Sequence, residues 1–199
     1  MTTALLTHPD CHGHINPEGH PEQVARLHEV LKALDGKDLL REDAPMAEDY
    51  DLDRAYEIDG PEAARRLYGE WAATYDSAFG ADWGYIAPRE IARLLLSEIG
   101  ELTPILDIGA GTGQVAEHLN GLPTDGIDIT PEMLEIAAAK SIYRDLIQGN
   151  LLAPIDLPDD GYGGVISCGT FTHGHVGPDC LPELLRVTRP GAPFCCGTK

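Results

Sequence analysis

The stretch ILDIGAGTGQ, residues 105–114, carries an apolar run into Asp107 and then places Gly109, Gly111 and Gly113 at every second position. Glycine has no β-carbon, so a turn of this kind lets main chain approach a ligand closely. The endings that define two phosphate-binding turns are not here. A P-loop requires Gly-Lys-Ser/Thr, whereas Gln114 and Val115 follow; a dinucleotide fingerprint requires glycine at position 114. Asp107 sets a carboxylate toward the expected site, which opposes a pyrophosphate and favours a cationic amino group. Asp128 closes the next apolar run, the place where a carboxylate accepts hydrogen bonds from both hydroxyls of a ribose. Together these residues point to an adenosine-type ligand with a cationic portion.

The elements that must position them alternate. PILDIG and GIDI read as strands, GQVAEHL as a short helix, and TPEMLEIAAAK as a helix with Thr130 as N-cap and Pro131 at its first position. RDLIQGN and GGVISCG read as further strands, and GPDCLPELLRVT as a helix stopped by RPG. Two helices, over 60–75 and 88–99, come earlier, separated by an aromatic-rich stretch. Alternation of this kind predicts an α/β fold with a parallel sheet covered by helices on both faces. Residues 1–43 read separately, as a histidine-rich loop and one amphipathic helix, and 44–54 as an acidic connection to a main domain over 55–199.

The chain has 199 residues and a formal net charge of -19, with Asp+Glu 33 against Lys+Arg 14. No basic cluster interrupts that field, so a nucleic-acid partner is excluded as an expectation. No window suits a membrane span and no leader pattern opens the chain, so the expected location is cytoplasmic. The five cysteines, Cys11, Cys168, Cys180, Cys195 and Cys196, form no disulfide framework and read as reduced thiols. Adjacent Cys195 and Cys196 suit a strand better than a metal pair.

ILDIGAGTGQVAEHL, GIDITPEML and QGNLLAP resemble, in order and spacing, the successive motifs of the class I S-adenosylmethionine-dependent methyltransferases, and the resemblance runs from about residue 55 to the end. It implies a Rossmann-like sheet with a helical N-terminal cap, and S-adenosyl-L-methionine as cofactor. By position it places Gly109, Gly111 and Gly113 beside the cofactor's amino-acid and ribose portions and Asp128 on the ribose. Met133 would lie on the adenine, with Asn150 at the adenine amino group and Leu151 beside it. As a residue at helical spacing, Met133 suits the core equally well. The stretch from VISCG to RPGA is similar to the Williams–Beuren-region methyltransferase-like branch, whose aromatic cap WAATYDSAFGADWGY also resembles; Tyr75 would then meet the cofactor's methionine part. Trp83 and Tyr85 read as packing residues.

His173 and His175 follow the fourth strand of the main sheet, where each suits a general base or a loop-packing role. The expected reaction is methyl transfer to a small neutral or cationic acceptor; the alternative is a cofactor-binding protein without catalysis. THPDCHGHINPEGHPE resembles the opening of the histone deacetylase and acetylpolyamine amidohydrolase superfamily, but the zinc ligands of that superfamily do not follow, and Gln23 and Val24 depart from its pattern. A noncatalytic extension is expected, with a deacetylase remnant or an adventitious metal site on His8, Cys11, His12, His14 and His20 as lesser readings. The same methyltransferase resemblance makes RPGAPFCCGTK the fifth strand with two further strands absent, so an exposed sheet edge and self-association are expected there.

Overall fold

The computed structural model describes residues 4–7, 40–43, 53–56, 58–78, 85–171 and 176–198. The chain divides into two compact units, residues 1–47 and 48–199. In the first, β1 (Ala4–Thr7) and β2 (Leu40–Asp43) pair in parallel, with Ala4 opposite Leu40 and Thr7 opposite Asp43. The periodicity between them does not announce this pairing, and the helix expected within 24–34 lies outside the described residues.

The second unit opens with a short helix α1 (Asp53–Tyr56) and then α2 (Pro61–Ala78) and α3 (Ala87–Glu98). Proline near the first position starts both longer helices, where its missing N–H costs nothing. In α2, Ala64, Leu67 and Trp71 recur at helical spacing and bury one stripe. In α3, Ala92 and Leu95 do the same and are fully covered.

The sheet follows as β3 (Ile105–Ile108), β4 (Thr124–Asp128), α4 (Pro131–Ala139), β5 (Asp145–Gln148), β6 (Gly164–Phe171), α5 (Leu181–Val187) and β7 (Phe194–Thr198). Its order is β5-β4-β3-β6-β7, and every pairing is parallel. This is the Rossmann-like methyltransferase sheet that the sequence predicts. Successive side chains of a strand face opposite ways, so β3 feeds both layers. Leu106 and Ile108 pack with Leu184 and Val187 on one face, and Ile105 with Leu95, Ile99 and Leu119 on the other. The central strand is therefore buried on both sides, which is why ILDI reads as a continuous apolar run broken only by Asp107.

Two local expectations differ from the structure. GQVAEHL forms no α-helix: one turn closes from Glu117 N to Gly113 O, and then a 3-10 helix spans Ala116–His118. The run is stopped by Asn120 and Gly121, both with positive φ, before a second turn can form. Likewise, the predicted helix over GPDCLPELLRVT begins as a 3-10 turn at Pro178–Cys180 and becomes α-helical at Leu181. Thr130 does stand at the N-cap of α4 with an extended backbone, yet its side chain makes no capping bond; its amide instead reaches Asp128. Among the described residues, no helix is long and apolar enough to cross a membrane.

Candidate functional site: the cleft at the carboxyl ends of the strands

The strands run outward from β3 to β4 and β5, and the chain then returns to place β6 and β7 on the other side. Such a reversal opens a crevice above the carboxyl ends of the strands. The cleft there has a volume of about 800 Å³, including space open to solvent. Gly109 and Gly111 come from the turn after β3, Asp128 from the end of β4, Gly149 to Leu152 from the end of β5, and Cys168 to Thr170 from β6. Helix α2 adds Tyr68 and Tyr75, and α4 adds Met133.

The glycine turn is anchored at its base. Gly109 donates its amide to Ile127 O at 2.8 Å. Its φ is +67°, and a β-carbon there would overlap the Thr170 hydroxyl. Thr170 is held in that position because its hydroxyl donates to Ile108 O at 3.1 Å, beside Ser167 donating to the same carbonyl at 2.9 Å. A register shift in β6 between Cys168 and Phe171, with Gly169 at φ +82°, turns Thr170 inward. Gly111, at φ +53°, has nothing within 4 Å of a would-be β-carbon and faces the open cleft.

Asp128 is fixed by main chain. One carboxylate oxygen accepts the Gly111 amide at 2.8 Å and the other the Thr130 amide at 2.8 Å. Burial raises its pKa, although hydrogen bonds from Thr130, Gly111 and Ile129 work against that rise. The carboxylate lines the cleft. Met133 is 2% exposed, so it belongs to the core and to the cleft floor at once. On α2, Tyr68 packs edge-on against both Trp71 and Tyr75, at centroid distances of 5.6 and 6.2 Å. Burial pushes the Tyr75 hydroxyl well above its usual range, which keeps it neutral.

The structure brings Tyr75, Gly109, Gly111, Asp128, Met133, Asn150 and Leu151 to this cleft. It does not bring Asp107 or Gly113. Asp107 shares its strand face with Ile105, points into the layer beneath the turn, and is 1% exposed; its Oδ2 accepts the Tyr143 hydroxyl at 2.7 Å. Gly113, φ +92°, lies under the Tyr143 ring and Ile142. The two-residue alternation of the strand that puts Leu106 and Ile108 on one face puts Asp107 on the other. Asn150 turns its own Oδ1 to the Leu152 amide at 2.9 Å. His173 and His175 lie outside the described residues, as do Trp83 and the histidines of residues 8–20. Tyr85 is described, and its hydroxyl meets Cys168 Sγ at 3.5 Å. Tyr68 and Thr170, which line the cleft, gave no periodic or motif signal.

The fold is the Rossmann-like one of methyltransferases. Residues 106–196 match the family described as Methyltransferase domain. Methyltransferase-like protein 27 of Homo sapiens is 34% identical over 148 residues, covering 70% of this chain and 60% of that protein. Among solved structures, the DhpI-SAM-HEP complex superposes with a TM-score of 0.53 at 22% identity, covering 67% of this chain and 64% of the other. The [4+2]-cyclase SpnF superposes with a TM-score of 0.56 at 18% identity, covering 68% and 58%. The chain spans about 41–60% of the length of the curated relatives it matches first. Residues 106–196 thus match the methyltransferase-domain family model, on a sheet whose fold is shared with methyltransferases of known structure.

Proposed function

We propose that this chain binds S-adenosyl-L-methionine in the cleft and transfers its methyl group to a small neutral or cationic acceptor, within the branch resembling the Williams–Beuren-region methyltransferase-like proteins. The observation that carries the reading is the Asp128 carboxylate, held by two main-chain amides at the end of β4 and open toward the cleft. The donor set fits the cofactor. Asp128 accepts from the ribose hydroxyls, Met133 and Leu151 give the base an apolar bed, and Gly111 leaves the space that a β-carbon would fill.

Bound S-adenosylmethionine supplies a methyl group on a positively charged sulfur, which is already electrophilic. The residues therefore need to position and to exclude water more than to activate. Tyr68 and Tyr75 form an aromatic wall on the α2 side, suited to cover the cofactor's methionine end. Among the described lining residues there is no lysine or arginine, and Asp128 is the charged group. An anionic acceptor would find no countercharge among those side chains. Because the described lining comes from residues 61 to 176, we assign residues 1–43, with their deacetylase-like motif, to a noncatalytic extension joined through 44–54.

A second reading, cofactor binding without methyl transfer, draws on the likeness to a cyclase of the same fold. Two measurements separate the readings. Calorimetric titration with S-adenosylhomocysteine is expected to show binding; no binding removes both. A mass-spectrometric screen of small acceptors with S-adenosylmethionine is expected to give a methylated product, and binding without any product favours the second reading.

A further inference from the structure

We propose that Asp76 is a positioning residue for this cleft: it latches the aromatic helix α2 to the glycine turn and so holds Tyr75 over the bound cofactor. The proposal rests on the reading of the cleft as the S-adenosylmethionine site. Asp76 is the residue after Tyr75, a third of a helical turn away, so Tyr75 faces the cleft while Asp76 faces the turn. Its Oδ1 accepts the hydroxyl of Thr112 and, at 3.1 Å, the side-chain amide of Gln114. Its Oδ2 meets Lys140 Nζ at 2.6 Å, and the same ammonium meets Glu117 Oε1 at 2.7 Å.

The cluster joins elements far apart in sequence: the last turn of α2, the glycine turn, the 3-10 turn after it, and the residue capping α4. It does not serve the helix that carries it. A carboxylate in the last turn of a helix opposes the macrodipole, and α2 has no basic residue there to offset it. The compensation comes from other elements. Burial pushes the Asp76 carboxyl upward, but the Lys140, Thr112 and Gln114 donors outweigh it and hold the group below its ordinary range.

The turn needs such a hold. Glycine loses more backbone freedom on ordering than any other residue type, and Thr112 stands between Gly111 and Gly113, 1% exposed. Gly111 is tied to Asp128 from the β4 side, and Thr112 to Asp76 from the α2 side. Two carboxylates thus grip adjacent residues from opposite directions. Loss of the Asp76 grip frees the turn and the Tyr68–Tyr75 wall together.

The test compares the full-length wild type with Asp76→Ala, Asp76→Asn and Thr112→Val. The readouts are S-adenosylhomocysteine affinity by calorimetry and amide hydrogen exchange across residues 61–78. Asp76→Ala is expected to weaken binding by roughly tenfold or more, the scale of hydrogen bonds to a charged group, and to speed exchange in α2. Asp76→Asn keeps an oxygen for Thr112 and Gln114 and is expected to stay within about threefold of wild type. A purely structural role would not order the variants by which acceptor they keep. Thr112→Val removes one donor with little change of volume and is expected to weaken binding in the same direction; it carries the comparison with Asp76→Asn if the alanine variant does not fold. Wild-type affinity in both Asp76→Ala and Thr112→Val, or equal losses in Asp76→Ala and Asp76→Asn, overturns the latch. Failure of the wild type to bind removes the functional reading instead, and α2 exchange unchanged by Asp76→Ala or Thr112→Val then removes the latch as well.

Discussion

Gly111 donates its main-chain N–H to Asp128 Oδ2 at 2.8 Å, so the floor of the cleft and its carboxylate are one hydrogen-bonded unit. The second oxygen is tied to the Thr130 amide where α4 begins. A carboxylate oriented in advance costs little further entropy when a ligand arrives.

Replacing Asp128 with alanine is expected to weaken S-adenosylhomocysteine binding by about 1–3 kcal/mol, the usual effect of losing a charge-assisted hydrogen bond. The same change leaves two main-chain amides without their acceptor, so the melting temperature falls as well. Calorimetry well below the melting transition keeps the two effects apart. Unchanged affinity there would remove Asp128 from the binding site.

The glycines of the turn are not equivalent. A β-carbon on Gly109 would overlap the Thr170 hydroxyl and lie 2.9 Å from its Cβ, whereas one on Gly111 meets no atom within 4 Å. Gly109→Ala is expected to destabilise the domain by about 1–3 kcal/mol through strain and overpacking. Combining it with Thr170→Ala should recover part of that loss, since the overlap with the hydroxyl is removed, while the 2.9 Å approach to Cβ and a left-handed backbone cost of about 1 kcal/mol remain. Gly111→Ala is expected to cost mainly binding. Urea unfolding of the single and double variants tests this: strictly additive losses would show that Thr170 does not confine Gly109.

Most of this geometry was legible because it is local. Strand periodicity, the glycine spacing and the proline at the start of α4 act within a few residues, and the structure brings Gly109, Gly111, Asp128 and Met133 to one cleft. Asp107 lies beneath the turn and outside the cleft lining, where the Tyr143 hydroxyl, 36 residues on, gives it a polar partner that no local pattern announces. The partners of Asp76 are hidden from the sequence for the same reason. Its donors lie 36 and 38 residues away in sequence, and nothing in YDSAF marks one carboxylate as a cross-element acceptor. The helix read in GQVAEHL failed on a local conflict, an apolar run too short to complete before the left-handed Asn120 and Gly121.

Deleting residues 1–43 is expected to leave S-adenosylhomocysteine binding within a few-fold of the full chain, because the described residues lining the cleft run from Pro61 to Val176. The compact unit that contains them begins at residue 48. Paired titrations of the full and shortened chains check this, and a loss beyond tenfold would assign the extension a part in the site.

The buried Asp107 makes stability depend on pH in an unusual direction. Burial raises its pKa from the ordinary carboxylate value to about 7, against the lowering effect of the Tyr143 hydroxyl, and the nearby Asp128 adds to the rise. In the unfolded chain the same group titrates near ~3.9. Between those two values the native state holds a proton that the unfolded state has released, so this group's contribution falls as pH rises through that window and is fully lost above the folded value. Asp107→Asn keeps an acceptor for Tyr143 and removes the titration. The variant is therefore expected to gain on the wild type by about 2–3 kcal/mol between pH 5 and pH 8, the size that each pH unit of differential protonation implies. Urea denaturation of both proteins at the two pH values measures the gap directly. A gap that stays constant would mean that Asp107 ionises in the folded protein at its ordinary value, and that solvent reaches the Tyr143 layer.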